Sequence, residues 1–233
     1  MAEITNQEVS YPGKAGSLRS YLAHPSAGGP RPVVIVVQEW WGLNDNIKDI
    51  ARRFAHEGYF AIAPDLYSRQ GNKVASDPNT AAQLMNGLKK ENGIEDLNST
   101  IQWIRGQKET HSAKIGITGY CMGGSYAMLL PCESKEISAA APFYGEIPSD
   151  DKIRALNCPI FYAYGENDGW IQRKDVERLS QDLRKLGKKG EVKIYPGCQH
   201  GFFNDTRKDV YAPEAAKDAW NRTLSLFSEN LKS

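Results

Sequence analysis

Short runs of apolar, largely β-branched residues alternate along the chain with longer stretches in which apolar side chains return every three or four positions. Val33–Gln38 is the first clear buried strand. Asp45–Glu57 follows as a helix, with Ile47, Ile50, Ala51, Phe54 and Ala55 on one face and Gly58 as its stop. Tyr59–Ala63 is the next strand, closed by Pro64-Asp65. Between Leu66 and Gly93 the period loosens around Gly71, Pro78 and a polar helix-like piece, which predicts an excursion over the sheet of the kind that shapes pockets. Ile94–Arg105 reads as a helix, Lys114–Thr118 as a strand, and Met122–Leu130 as a helix that Pro131 keeps from running far. Ile137–Phe143, Pro159–Tyr164 and Glu191–Tyr195 supply three more strands, with the helix Arg173–Leu186 between the last two. The final helix starts at Ala212-Pro213 and carries Ala216, Ala219, Trp220, Leu224, Phe227 and Leu231 on one stripe.

Strand and helix in alternation predict an α/β fold: a mostly parallel central sheet flanked by helices on both faces. No linker-like break divides the 233 residues, so one domain over 1–233 is expected.

Composition narrows the function. Lys and Arg number 29 against 28 Asp and Glu, so the net charge of +1 offers no general attraction to nucleic acid or an anionic membrane. The basic cluster at 184–189 sits where a helix ends at a glycine, and reads as a solvated helix end. The start, MAEITNQEVS, lacks a basic segment followed by an apolar one, so no signal peptide is expected and the location expected is cytoplasmic. Four cysteines without a Cys-x-x-Cys pair predict reduced thiols. The Cys198-x-His200 pair has no second close pair of ligands beside it, so neither metal nor cofactor is expected. A monomer acting on a small molecule is the expectation.

The segment GITGYCMGG at 116–124 places a cysteine between glycines, after a strand and before a helix. Gly119-Tyr-Cys-Met-Gly123 has the spacing of a nucleophile elbow, G-x-S-x-G, with sulfur in place of oxygen. The amide of Met122, opening the helix, would be one oxyanion donor, and the helix N-terminus favours thiolate. Two rivals stand beside this reading. Thr118-Gly-x-x-x-Gly123 resembles the nucleotide-binding turn of short-chain dehydrogenases, although that turn follows their first strand and their Tyr-x-x-x-Lys is missing here. The other is a buried structural cysteine among packing glycines.

Two later segments favour the elbow by their order along the chain. Gly165-Glu-Asn-Asp-Gly169 comes after one strand, and Pro196-Gly-Cys-Gln-His-Gly201 after another. Asp168 and His200 thus fall beyond strand C-terminal ends, on the rim of the elbow, in the order nucleophile, acid, histidine. His24, His56 and His111 lack such placement. A thiol of ordinary pKa is only about 3% ionised at neutral pH, so Cys121 needs a base; His200 would serve, oriented by Asp168. Gln38-Glu-Trp-Trp-Gly-Leu43 follows the first buried strand, where a second oxyanion amide is expected, and Trp40 is the choice. Glu39, after five aliphatic residues, is either a solvated loop glutamate or a desolvated carboxylate with a use.

These residues carry a resemblance to dienelactone hydrolase (carboxymethylenebutenolidase) and its relatives in the α/β-hydrolase superfamily. The matching pieces are VVIVVQEWWGL at 33–43, APDLYSRQ at 63–70, GYCMGG at 119–124, GENDG at 165–169 and PGCQHGF at 196–202. The resemblance implies a Cys121–His200–Asp168 triad that hydrolyses an ester or lactone through a thioester, without metal or cofactor. It also implies that Glu39 interacts with the nucleophile and modulates its ionisation. The match departs where the family's dienelactone-cleaving members hold a carboxylate with arginines. Ser76–Gly93 contains none, and position 204 is Asn. Lys89 or Lys90 could return a charge but not the fork of an arginine, and Arg69 could be structural. An aromatic pocket with Tyr144, Trp170 and Phe202 as walls is expected. The alternative from another class is a non-catalytic receptor on the same fold for a small hydrophobic ligand.

Overall fold

The computed structural model of the protein describes residues 3–110 and 113–232; His111 lies outside them. Its strands belong to an eight-stranded sheet, and the chain gathers into two compact units, Met1–Ile115 and Gly116–Ser233.

The first unit opens with an antiparallel hairpin, β1 (Ile4–Gly13) and β2 (Gly16–Pro25), in register from Ile4↔Pro25 to Gly13↔Gly16. The chain continues through β3 (Val33–Val37), α1 (Asp45–His56), β4 (Phe60–Pro64), α2 (Pro78–Gly87) and α3 (Lys90–Arg105). Strand order here is β1-β2-β4-β3, with β4 antiparallel to β2 and parallel to β3. Every residue of β3 and β4 is buried, as apolar runs covered on both faces of the sheet require. Asn44 caps α1 by accepting the Ile47 amide, and α1 buries the face the spacing predicts: Ile47, Ile50, Ala51, Phe54 and Ala55. The loosened stretch after β4 contains a short turn of 3-10 helix at 68–70 and α2, whose N-terminus Asp77 caps.

Two clusters of polar side chains in this unit are held by internal hydrogen bonds. Arg69 donates from Nε and Nη2 to both carboxylate oxygens of Asp96, at 2.7–3.2 Å, and from Nη2 to Glu95 at 3.1 Å. Tyr11 Oη shares hydrogen bonds with Ser20 at 2.6 Å and Thr100 at 2.8 Å. Arg69 is thus structural.

The second unit runs β5 (Ile115–Tyr120), α4 (Met122–Glu133), β6 (Ile137–Phe143), α5 (Asp150–Arg154), β7 (Ile160–Asn167), α6 (Arg173–Lys185), β8 (Gly190–Gln199) and α7 (Pro213–Leu231). Its strand order is β5-β6-β7-β8, with β6–β7 and β7–β8 parallel. Strand, helix, strand in sequence and parallel neighbours in space make this half the crossover architecture that the alternation predicts. Pro131 lies inside α4, which ends two residues later at Glu133. Among the described residues no helix is long and apolar enough to cross a membrane.

Candidate active site

The C-terminal ends of β5, β6, β7 and β8 carry the chemistry-bearing residues of the second unit. Cys121 directly follows β5 and sits at φ 56°, ψ −119°, a conformation that costs a non-glycine residue about 1–3 kcal/mol. Its amide donates to Phe143 O at 3.1 Å, and its carbonyl accepts the first helical bond from Ser125 at 3.2 Å. Strand pairing and helix therefore meet at this one residue, and the bend between them falls on its own dihedrals.

Such a bend is possible only because the surrounding backbone is bare. A Cβ on Gly119 would lie 2.1 Å from Gly123 O, one on Gly124 would lie 2.2 Å from Phe143 O, and one on Gly145 would lie 2.1 Å from Gly124 C. Gly145, which the sequence reading passed over, closes this contact from the end of β6; its signal was a glycine directly after the strand-end pair Phe143-Tyr144. Tyr144 itself is at φ 39°, and Tyr162 Oη holds Gly145 O at 2.5 Å.

Cys121 is buried at 8% exposure. Burial pushes the thiols of Cys132 and Cys158 up to about 12, and raises that of Cys198, so these three stay protonated at neutral pH. Met122 is the first residue of α4, at the end where unpaired amides and the positive helix pole gather.

Asp168 and His200 meet. His200 Nδ1 lies 2.8 Å from Asp168 Oδ2, and the Asp168 side chain is fully buried. The other oxygen, Oδ1, accepts from the amides of Trp170 and Ile171, both at 2.8 Å, so the carboxylate is fixed on both sides. Tyr164 Oη braces the same turn through Ile171 O at 3.1 Å. With Nδ1 on a carboxylate, the imidazole carries its proton there, which leaves Nε2 as the acceptor. Nε2 is buried and, among the described residues, has no hydrogen-bond partner. The ring lies 4.9 Å from that of Tyr144 and 5.4 Å from that of Trp170, edge to face with each.

Of the three expected pocket aromatics, Trp170 is 36% exposed, whereas Tyr144 and Phe202 are fully buried. Phe202 packs on Tyr144 and Tyr195, with centroids at 5.6 and 5.0 Å. Asn204 Oδ1 accepts the Thr206 amide and hydroxyl, building the turn beyond His200.

Glu39 and Trp40 belong to the first unit, in the tight turn after β3. Gly42 donates to Glu39 O at 3.2 Å, and Tyr67 Oη holds Trp40 O at 2.9 Å. Glu39 is only 4% exposed, which overturns the solvated-loop reading. Of the other histidines, His24 stacks on Phe60 and His56 ends α1. Among the described residues, no three His, Cys, Asp or Glu side chains gather to hold a metal ion.

Comparison with known proteins identifies the family. Residues 18–231 match the model of the dienelactone hydrolase family. Protein usf of Aquifex pyrophilus is 37% identical over 235 residues, covering 97% of this chain and 99% of its own. An Escherichia coli (strain K12) protein named "Putative carboxymethylenebutenolidase" is 35% identical, covering 95% and 86%. The crystal structure of a "Putative Dienelactone Hydrolase" from Klebsiella pneumoniae subsp. pneumoniae superposes with a TM-score of 0.90 at 34% identity, covering 97% and 99%. A dienelactone hydrolase-like promiscuous phosphotriesterase from metagenomic libraries, at 22% identity and a TM-score of 0.89, shares the fold. The chain belongs to the dienelactone hydrolase family and is a carboxylic ester hydrolase of the α/β-hydrolase fold.

Proposed function

We propose that the protein cleaves a small, uncharged or weakly anionic ester or lactone by way of an acyl-cysteine. The thiol of Cys121 gives its proton to Nε2 of His200, and the sulfur attacks the carbonyl carbon. The oxyanion that forms is met by the amide of Met122 at the helix N-terminus. Collapse of this intermediate breaks the carbon–oxygen bond, and the imidazolium returns the proton to the leaving oxygen. Water, deprotonated by the same nitrogen, then attacks the thioester; the acid departs and the thiol is restored. Asp168 holds the imidazole in the required tautomer and offsets its charge. Trp40 keeps the part of second oxyanion amide that its place after the first buried strand suggests, and Glu39 the part of modulator that the family resemblance implies.

One observation carries the reading: Cys121 is held at positive φ where β5 turns into α4. A structural cysteine has no use for that strain. The His200–Asp168 bond and the unpartnered Nε2 support the same assignment.

The choice of substrate rests on two residues. Arg69 is occupied by Asp96 and Glu95, and Asn204 is occupied by its own turn, so neither is a carboxylate clamp.

Cys121→Ala tests the nucleophile with p-nitrophenyl acetate as substrate. A loss of about 10⁴-fold or more in kcat is expected; unchanged turnover refutes the assignment. With the wild type, mass spectrometry of a rapid quench should find the acetyl group on Cys121. Iodoacetamide at pH 8 should modify this cysteine ahead of Cys132 and Cys158, whose pKa of about 12 keeps them as thiols.

A further inference from the structure

The pairing of β7 with β8 is regular from Ile160↔Gly190 to Gly165↔Tyr195 and resumes at Asn167↔Gln199. Between these points Glu166 alone stands against Pro196, Gly197 and Cys198, so β8 bulges just before it delivers His200. A bulge of this kind leaves backbone groups without ladder partners, and Pro196 has no amide to offer.

Side chains of β7 take over. The Gly197 amide donates to Glu166 Oε2 at 3.1 Å, and Asn167 Nδ2 reaches Gly197 O at 3.4 Å. Glu166 Oε1 is in turn held by Arg173 Nη1 at 3.2 Å, and Arg173 Nε by Glu177 at 2.9 Å. Gly197 lies at φ 69°, in the left-handed region, so the strand kinks there. A Cβ on Gly165 would come within 2.7 Å of both Cys198 O and Gln199 O, so the strand ends have no slack. Glu166 is two residues from the acid Asp168, and Gly197 three from His200.

We infer that Glu166 is a positioning residue: its carboxylate replaces the ladder acceptor lost at the bulge and sets the turn that presents His200 to Asp168. This rests on the triad reading above, but the hold on the ring is a structural matter that can be measured without turnover. Glutamine keeps an acceptor for the Gly197 amide and gives up the charge toward Arg173; alanine gives up both.

The test compares full-length wild type, Glu166→Ala and Glu166→Gln. The first readout is the low-field proton resonance of His200 Nδ1–H, assigned by its loss in His200→Gln. The second is kcat and KM for p-nitrophenyl acetate across pH, with urea unfolding alongside. Glu166→Ala is expected to broaden or shift the resonance, lower kcat about tenfold, displace the acid limb of the pH profile and leave KM and the urea midpoint near wild type. Glu166→Gln is expected to restore the resonance and a kcat within about twofold of wild type. The proposal is overturned if Glu166→Ala keeps the wild-type resonance and kcat, if glutamine is as damaging as alanine, or if the loss of activity tracks a fall in the urea midpoint. Should Cys121→Ala retain full turnover, the triad reading fails, while the resonance still decides the role of Glu166.

Discussion

The side chains of Asp96 in the first unit and Asp168 in the second are both buried, and they are held by opposite means. Asp96 faces the fork of Arg69, a cation that never gives up its charge. Asp168 faces two neutral backbone amides and an imidazole, which becomes a cation only on taking a proton. The Asp96 charge is therefore offset once, at folding, and serves the architecture. In the proposed mechanism the Asp168 charge is offset fully only while the imidazolium exists, so its electrostatic interaction is strongest when the barrier is being crossed. Burial alone does not distinguish the two carboxylates; the partner does.

The contrast can be broken by substitution. Asp168→Asn should lower kcat about 10⁴-fold, because the amide supports the wrong tautomer of His200 while Oδ1 can still accept its two amides. A loss of less than tenfold would put Asp168 in the same structural class as Asp96. Arg69→Ala should do the reverse: about 3 kcal/mol less stability in urea, from an uncompensated buried carboxylate, with kcat of the folded protein nearly unchanged. Pairing Arg69→Met with Asp96→Leu should recover most of that stability, since replacing both charges removes the desolvation they share. Tyr11→Phe sharpens the point with a neutral group from the same neighbourhood. Loss of its bonds to Ser20 and Thr100 should cost about 1 kcal/mol, with kcat unchanged.

Periodicity revealed most of the alternating layers, because β3 and β4 are buried on both faces and read as unbroken apolar runs. The β1–β2 hairpin escaped it. β1 is an edge strand whose only buried residue is Tyr11, so its polar sequence lacks the apolar alternation that marks a strand. That Asp168 and His200 lie near each other was legible from their places past strand ends, and their hydrogen bond is the three-dimensional form of that placement. The part of Glu166 was not, because a bulge is a mismatch between two strands and leaves no period in either. A Pro-Gly pair interrupting β8 was the one local sign of it. For Glu39 the sequence left two environments open, and packing after the buried β3 decided between them.

The bare backbone at Gly119, Gly124 and Gly145 has a consequence for how this scaffold can be re-engineered. A library randomised at these three sites should return glycine almost exclusively, since a single methyl would push α4 off the strand end it rests on. Variation is better placed at exposed loop positions such as Trp170, which is 36% exposed just past β7.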